Sequence, residues 1–458
     1  MFSRFMPFFL AMLVTLQLVI YPLAGGVQRL LVAPYAYALG LCILIVFLLY
    51  NNNYSYLSRG IWFLLFLIVV TPLLYLVPIP LSIWQALPGH DVYSQVNQWI
   101  LENYDIKPSL YSLSLIPYQT EQSFYALFPP LALFIVVSSF DNKAKYWILF
   151  VFMLIAGAEA CLAVIQFSSQ NDYFFFGIPR LKDSMALGTY PNPDHFSLLM
   201  AIAIPFAMAL LFKQLKKKKR QNMISSKKIL FLMLYIILII LLFISAIFSG
   251  SRAGIALTFL ALFLSYRQFS HKKDKKISYL SIIVFLIIII GGLVMFLDIV
   301  PIIDRFVKEN PFIDGRWTIF ANTWDGIWTF FPVGSGSGTF PYIYKLFQPV
   351  QQAGFINYAH NDYLELVFET GLLGVVGLIL WMTLFVKRFR NIKKEAGRGL
   401  MLKQSSGISL LIILIHSTLE FNLHDSFNVL FFALLSAFFF GHKGAMAKRL
   451  NIDMGCLK

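Results

Sequence analysis

Runs of about 20 consecutive apolar residues, the length that crosses a bilayer as a helix, recur along this chain and decide what it can fold into. Hydrocarbon offers no partner to a backbone amide, so each run must be a helix or a strand of a closed barrel. The runs show no period-2 alternation, which excludes the barrel. Of 458 residues, 59% are hydrophobic and 13% charged, against ~45–50% and ~25% in soluble domains. A string of soluble domains is excluded. The pattern predicts an all-α, polytopic integral membrane protein, with residues 1–458 forming one membrane domain.

Twelve spans are expected: Phe5–Leu23, Leu31–Tyr50, Ile61–Val77, Gln122–Ser139, Tyr146–Phe167, His195–Phe212, Ile229–Phe248, Gly254–Tyr266, Ile277–Leu297, Glu369–Val386, Gln404–Leu419 and Asn428–Gly441. The first reads as a retained helix rather than a signal peptide, because another span follows at once. Alternate loops are basic, above all the KKKKR run at 216–220. With this alternation one side holds 28 of the 37 Lys and Arg residues. By the positive-inside rule both termini are cytoplasmic. The net charge of +15 is thus a topology signal and no sign of nucleic acid. Three cysteines, Cys42, Cys161 and Cys456, form no CxxC or Cys/His cluster, so no disulfide framework or zinc site is indicated.

Two outer loops are long, residues 78–121 and 298–368. The cytoplasmic loops are short and basic, with no room for a nucleotide-binding fold and no Walker motif. Chemistry would therefore sit on the outer face and run without ATP. Glu159 is the one clear acidic residue in mid-span, which speaks against a proton- or ion-coupled carrier.

The outer face carries four polar segments. F-S-G-S-R-A-G, residues 248–254, places Arg252 at the membrane boundary beside a helix N-terminus. A phosphate is favoured there by amide groups, dipole and guanidinium together; the alternative is an arginine that snorkels to anchor a hairpin. D-G-R-W-T-I-F-A-N-T-W-D-G-I-W, from Asp314, sets Trp317, Phe320, Trp324, Ile327 and Trp328 at helical spacing. An amphipathic interfacial helix is expected, with Asp314 as N-cap and Arg316 in the first turn, a second arginine for an anion site at the same depth or one that meets a lipid head group. P-V-G-S-G-S-G-T-F, 332–340, is a weak candidate anion nest around Gly336. N-Y-A-H-N-D-Y-L-E, 357–365, puts His360 before a span with Asn361, Asp362 and Glu365 following; it suits a general base oriented by a carboxylate, or a helix cap. Asn192, Asp194 and His195 open another span. A metal site made of His90, His195, His360 and His424 lacks HxxH or HxxxH spacing, and no cofactor is expected.

In this order, G-T-Y-P-N-P-D-H-F, S-G-S-R-A-G, G-R-W…G-S-G-S-G-T-F and A-H-N-D-Y-L-E-L-V-F-E-T-G-L-L-G resemble the O-antigen ligase and polymerase superfamily, integral-membrane glycosyltransferases of the GT-C type. The resemblance is strongest over residues 188–381. It implies a metal-independent enzyme of the bacterial inner membrane. Such an enzyme takes a glycan from undecaprenyl pyrophosphate at the periplasmic face and passes it to an acceptor hydroxyl. Lipid A–core would be the acceptor of a ligase, another lipid-linked repeat that of a polymerase, and a protein side chain that of a related transferase. A flippase of lipid-linked sugars is the alternative from another class. The family's two arginines fall on Arg252 and Arg316 and its histidine on His360. Asn192, His195, Gly336, Asn361, Asp362 and Glu365 would support them, and Asp194 departs from the family's N-P-N-H.

Overall fold

The computed structural model describes residues 2–24, 29–51, 53–103, 110–169, 185, 187–215, 226–270, 315–352, 354–392, 394–397 and 399–441. The fold is all-α and membrane-spanning. Among the described residues six helices are long and apolar enough to cross a membrane, and four shorter apolar helices accompany them.

The helices α1 (Phe2–Ala24), α2 (Arg29–Tyr50) and α3 (Arg59–Tyr75) correspond to the first three expected spans. The fourth is broken into α6 (Pro117–Ala126) and α7 (Phe128–Ser139). Pro129 and Pro130 lack amide hydrogens and are tolerated only in the first turn of a helix, so F-P-P starts a new one. Next come α8 (Asn142–Ser169), α9 (Pro193–Leu215), α10 (Ser226–Phe248) and α11 (Arg252–Phe269). The ninth expected span, Ile277–Leu297, lies outside the described residues, as do Asp314 and Cys456.

Helix α9 is the centre of the bundle. Its residues are apolar all round, and Phe196–Ala209 are buried without a break, as a helix with no polar face requires. It packs between α10, α11 and α15 (Leu400–His416). Ser405 and Ser409 of α15 donate to the carbonyls of Pro205 and Ile202, at 3.2 and 2.8 Å. Those bonds close α15 onto α9 at the proline that interrupts the latter's own ladder. The last described helix, α16 (Ser426–Phe440), is nearly all buried.

Helix α14 (Asp362–Ile392) begins seven residues before the expected Glu369 and contains a break at Gly371, with φ 51° and ψ −130°. The amides and carbonyls freed by that break must find partners. They find the glycine-rich segment: Ser335 N–H donates to Phe368 O at 3.1 Å, Gly336 N–H to Glu369 O at 2.8 Å, and Leu372 N–H to Pro332 O at 2.9 Å. A Cβ on Gly334 or Gly371 would collide with the opposing backbone. The glycines permit two backbones to touch.

Outside the bundle lies a second, smaller core. Helix α12 (Arg316–Phe330) sends Ile319, Ile327 and Phe330 inward. They meet Phe340 of the short helix α13 (Phe340–Ile343), Tyr344, Ala359 and Phe368. Tyr93 of α5 (Asp91–Asn103), Leu115 and Ile116 pack onto the same cluster. A two-stranded ribbon, β1 (Pro78–Pro80) with β2 (Leu110–Ser112), and a turn of helix, α4 (Leu81–Gln85), complete this layer. The described parts of the two long loops thus share one core. Ile327, expected on the tryptophan face of α12, belongs to the buried one, while Trp317, Trp324 and Trp328 face outward.

Candidate active site

The N-termini of α9, α11, α12 and α14 meet the turn between α15 and α16. At the junction is Glu420, with no exposed side-chain surface. One of its oxygens takes Arg316, in a short charge-assisted contact. The other lies 3.3 Å from His360 Nδ1 and 3.8 Å from His195 Nε2. Burial of a carboxylate is tolerated only when it is paired, and here it has three partners of basic type.

Arg316 opens α12 directly, with Gly315 as the N-cap and no capping side chain. Its Nη2 also reaches Asp194 Oδ2 at 3.2 Å. The side chain is 28% exposed. Asp194 stands on the first turn of α9, where Asn192 Oδ1 accepts its N–H at 2.9 Å. Asn192 is therefore a turn-forming residue. The second Asp194 oxygen accepts the Ser251 hydroxyl at 2.5 Å, while Ser251 caps α11 by accepting Gly254 N–H at 3.0 Å. Arg252 is the next residue, the first of α11. Asp194 thus joins the helix starts that carry the two arginines.

His360 has φ 52°, a conformation that costs a non-glycine residue energy and persists only where neighbours enforce it. The neighbours are on both sides. Ala359 N–H donates to Glu365 Oε2 at 2.7 Å. Asn361 Oδ1 caps α14 by accepting the N–H groups of Tyr363 and Leu364, and its Nδ2 donates to Thr418 O at 3.0 Å. Asp362 N–H donates to Ser417 O, and its carboxylate accepts Leu423 N–H. His424 then joins Asp362 at 3.2 Å and Glu365 at 3.3 Å. Desolvation pushes the His424 ring towards neutrality, but Glu365, Asp362 and Glu369 outweigh it and hold its pKa up at about 10. The ion cluster fastens the strained segment to the α15–α16 turn.

The ring of His360 packs edge-on against Phe421, at 5.0 Å between centroids, and so does His195 at 4.6 Å. His195 Nδ1 in turn faces Asp425 at 3.4 Å, and Asp425 caps α16. One phenyl ring thus packs against both imidazoles.

Of the residues singled out in the sequence, Arg316, His360 and His195 converge on one carboxylate. Arg252 flanks them through Ser251 and Asp194. Asn361, Asp362 and Glu365 hold the His360 segment in place. Gly336 is the exception. Its N–H goes to Glu369 O, and the Glu369 side chain accepts the N–H of Phe340 at 3.0 Å. The expected anion nest is thus filled by the protein's own carboxylate, since a free α14 carbonyl and a buried Glu369 both compete for those donors. Glu420 and Asp425 belong to the segment L-E-F-N-L-H-D, 419–425, which in the sequence is only the end of one expected span and the connection to the next. Its signal is the presence of four hydrogen-bonding or charged residues in one short connection.

Residues 237–382 match the family model described as O-Antigen ligase. The match supports membership of the O-antigen ligase superfamily and includes Arg252, Arg316 and His360; Asp194, His195 and Glu420 lie outside it. No curated protein matches the chain.

Proposed function

We propose, from the O-antigen ligase character of residues 237–382, that this protein moves a glycan from undecaprenyl pyrophosphate to an acceptor hydroxyl. The transfer takes place at the periplasmic face of the bacterial inner membrane, both termini being cytoplasmic and the chain making about twelve crossings in a GT-C-like arrangement. The acceptor is lipid A–core, which makes it an O-antigen ligase. The observation that carries this reading is the joining of Arg316 and His360 through buried Glu420.

The chemistry follows from the geometry. Nδ1 of His360 faces a carboxylate, which favours the tautomer with its proton there and leaves Nε2 as acceptor. The acceptor oxygen attacks the anomeric carbon, and its proton passes to Nε2. The bond from that carbon to the phosphate oxygen breaks, and the electron pair leaves on undecaprenyl pyrophosphate. Attack opposite the leaving group inverts the anomeric centre. Pyrophosphate needs charge stabilisation more than a proton, and Arg316 with Arg252 would supply it as planar donors. Asp194 and Glu420 hold Arg316 from its inner side, so it is oriented before the donor arrives. All groups the step needs are side chains of this protein.

A deletion strain tests the reading. Loss of a ligase leaves full-length polymer on the lipid carrier and bare core on lipid A. The wild-type gene should restore polymer on core, and His360→Ala, inserted to the same level, should restore about 10²–10⁴-fold less activity. Core carrying a single repeat in the deletion strain would instead identify a polymerase, and full rescue by His360→Ala would remove the base.

A further inference from the structure

The outer face of α12 forms a column. At about 100° per residue, Trp317, Trp324 and Trp328 point the same way, and all three are exposed. Beside the column, on one flank, stand Thr318, Asp325 and Thr329, also exposed. The opposite face of α12 is fastened to the outer core by Ile319, Thr323, Gly326, Ile327 and Phe330, so the column is rigidly presented. Trp324 and Trp328 lie edge to face at 5.8 Å. The column starts one residue after Arg316 and runs about 16 Å along the helix away from it, at 1.5 Å per residue.

We propose that this column is a binding platform for the glycan part of the donor, reaching outward from the pyrophosphate site. The inference rests on the transferase reading above. A pyranose has an apolar face of C–H groups with slight positive charge, which packs on the negative face of an aromatic ring. It also has hydroxyls at its rim, which need acceptors and donors alongside. A tryptophan column edged by two threonines and an aspartate supplies both. A bilayer surface is the competing occupant and fits less well. A carboxylate at Asp325 is unfavourable against hydrocarbon and against anionic head groups. Continuity with Arg316 fixes the direction: a glycan whose first sugar sits at the pyrophosphate has its next sugars over Trp317 and then Trp324.

The test uses full-length protein in nanodiscs and the water-soluble glycan released by mild acid from the cells' own lipid carrier. Calorimetric titration should give saturable binding, with the dissociation constant raised at least about tenfold in Trp324→Ala/Trp328→Ala. Trp324→Phe/Trp328→Phe should recover part of that loss. Absent binding by the wild type, or equal binding by the alanine pair, overturns the platform. So does brominated lipid that quenches a fluorescence component lost in Trp324→Ala/Trp328→Ala, which would assign the column to the bilayer. The transferase reading fails separately, through a deletion strain whose full-length polymer still reaches lipid A–core, and needs no glycan titration to be judged.

Discussion

Glu420→Gln is the sharpest probe of the site, because it keeps shape and removes one charge. The carboxylate has no exposed surface and serves Arg316, His360 and His195 together. In the variant the amide has one acceptor oxygen and one donor nitrogen. If the oxygen stays on Arg316, the NH2 group faces His360 Nδ1 and selects the tautomer with the proton on Nε2. That ring cannot take a proton from the acceptor hydroxyl. The loss of the base alone is worth about 10²–10⁴ in rate, or roughly 3–5.5 kcal/mol in barrier. Breaking a buried ion pair can add up to about 3–5 kcal/mol of instability, reduced here because Arg316 is partly open to water and keeps Asp194. Initial rates with lipid-linked donor and core acceptor in proteoliposomes, over a range of pH, measure the first effect, and a thermal melt of the same preparation the second. Glu420→Asp should fall between wild type and Glu420→Gln, since the charge remains but the reach is shorter. A Glu420→Gln enzyme with wild-type rate and unchanged pH profile would refute the orienting role.

The arginines should fail the lysine test: Arg316→Lys and Arg252→Lys lose the planar fork and should each lower transfer by an amount on the order of 2–5 kcal/mol, whereas Lys345→Arg, over the Phe355 ring, should not, and equal rates in all three would assign the arginines to head-group anchoring. The His424 pKa is raised in the fold, from 6.5 to about 10, so its stabilisation is complete below 6.5 and is lost as pH rises through 10. Melting temperature should therefore fall between pH 7 and 10, and His424→Gln should melt lower with a flatter profile over that window; a wild-type profile unchanged in the variant contradicts the ion cluster. Reporter fusions after Lys217 and Lys394 should read as cytoplasmic and fusions near Ser337 as periplasmic, the reverse result overturning the orientation.

Helices were legible where one physical cause dominates. The apolar runs of α8, α9 and α10 are long, with Glu159 of α8 the acidic residue in mid-run, and hydrocarbon forces helix on them. The boundaries that slipped are those set by tertiary contact. Helix α14 starts at Asp362 because Asn361 caps it and Ser417 and Leu423 bond to Asp362, and of those partners only Asn361 is local in sequence. Its break at Gly371 depends on the glycine segment 332–336 arriving alongside. Read alone, that segment is a flexible run of turns with spare amides. Only the fold shows that the amides of Ser335 and Gly336 are already used.

The same distinction explains the site. Arg252, Arg316 and His360 each sit in a local pattern that physical chemistry can weigh: a helix start, a glycine turn, a histidine before a span. Glu420 has no such pattern, because its role is set by what three other elements bring to it. One feature does tie the local and the distant together. A positive φ at His360 is a cost that a simple helix cap would avoid, since Asn361 already caps α14 without it. The strain turns the imidazole away from the helix and onto Glu420 and Phe421. A residue held in an unfavourable conformation by an ion cluster on one side and a cap on the other is better accounted for by the position of its ring than by the stability of its loop, and that position is beside the arginine that would receive the donor.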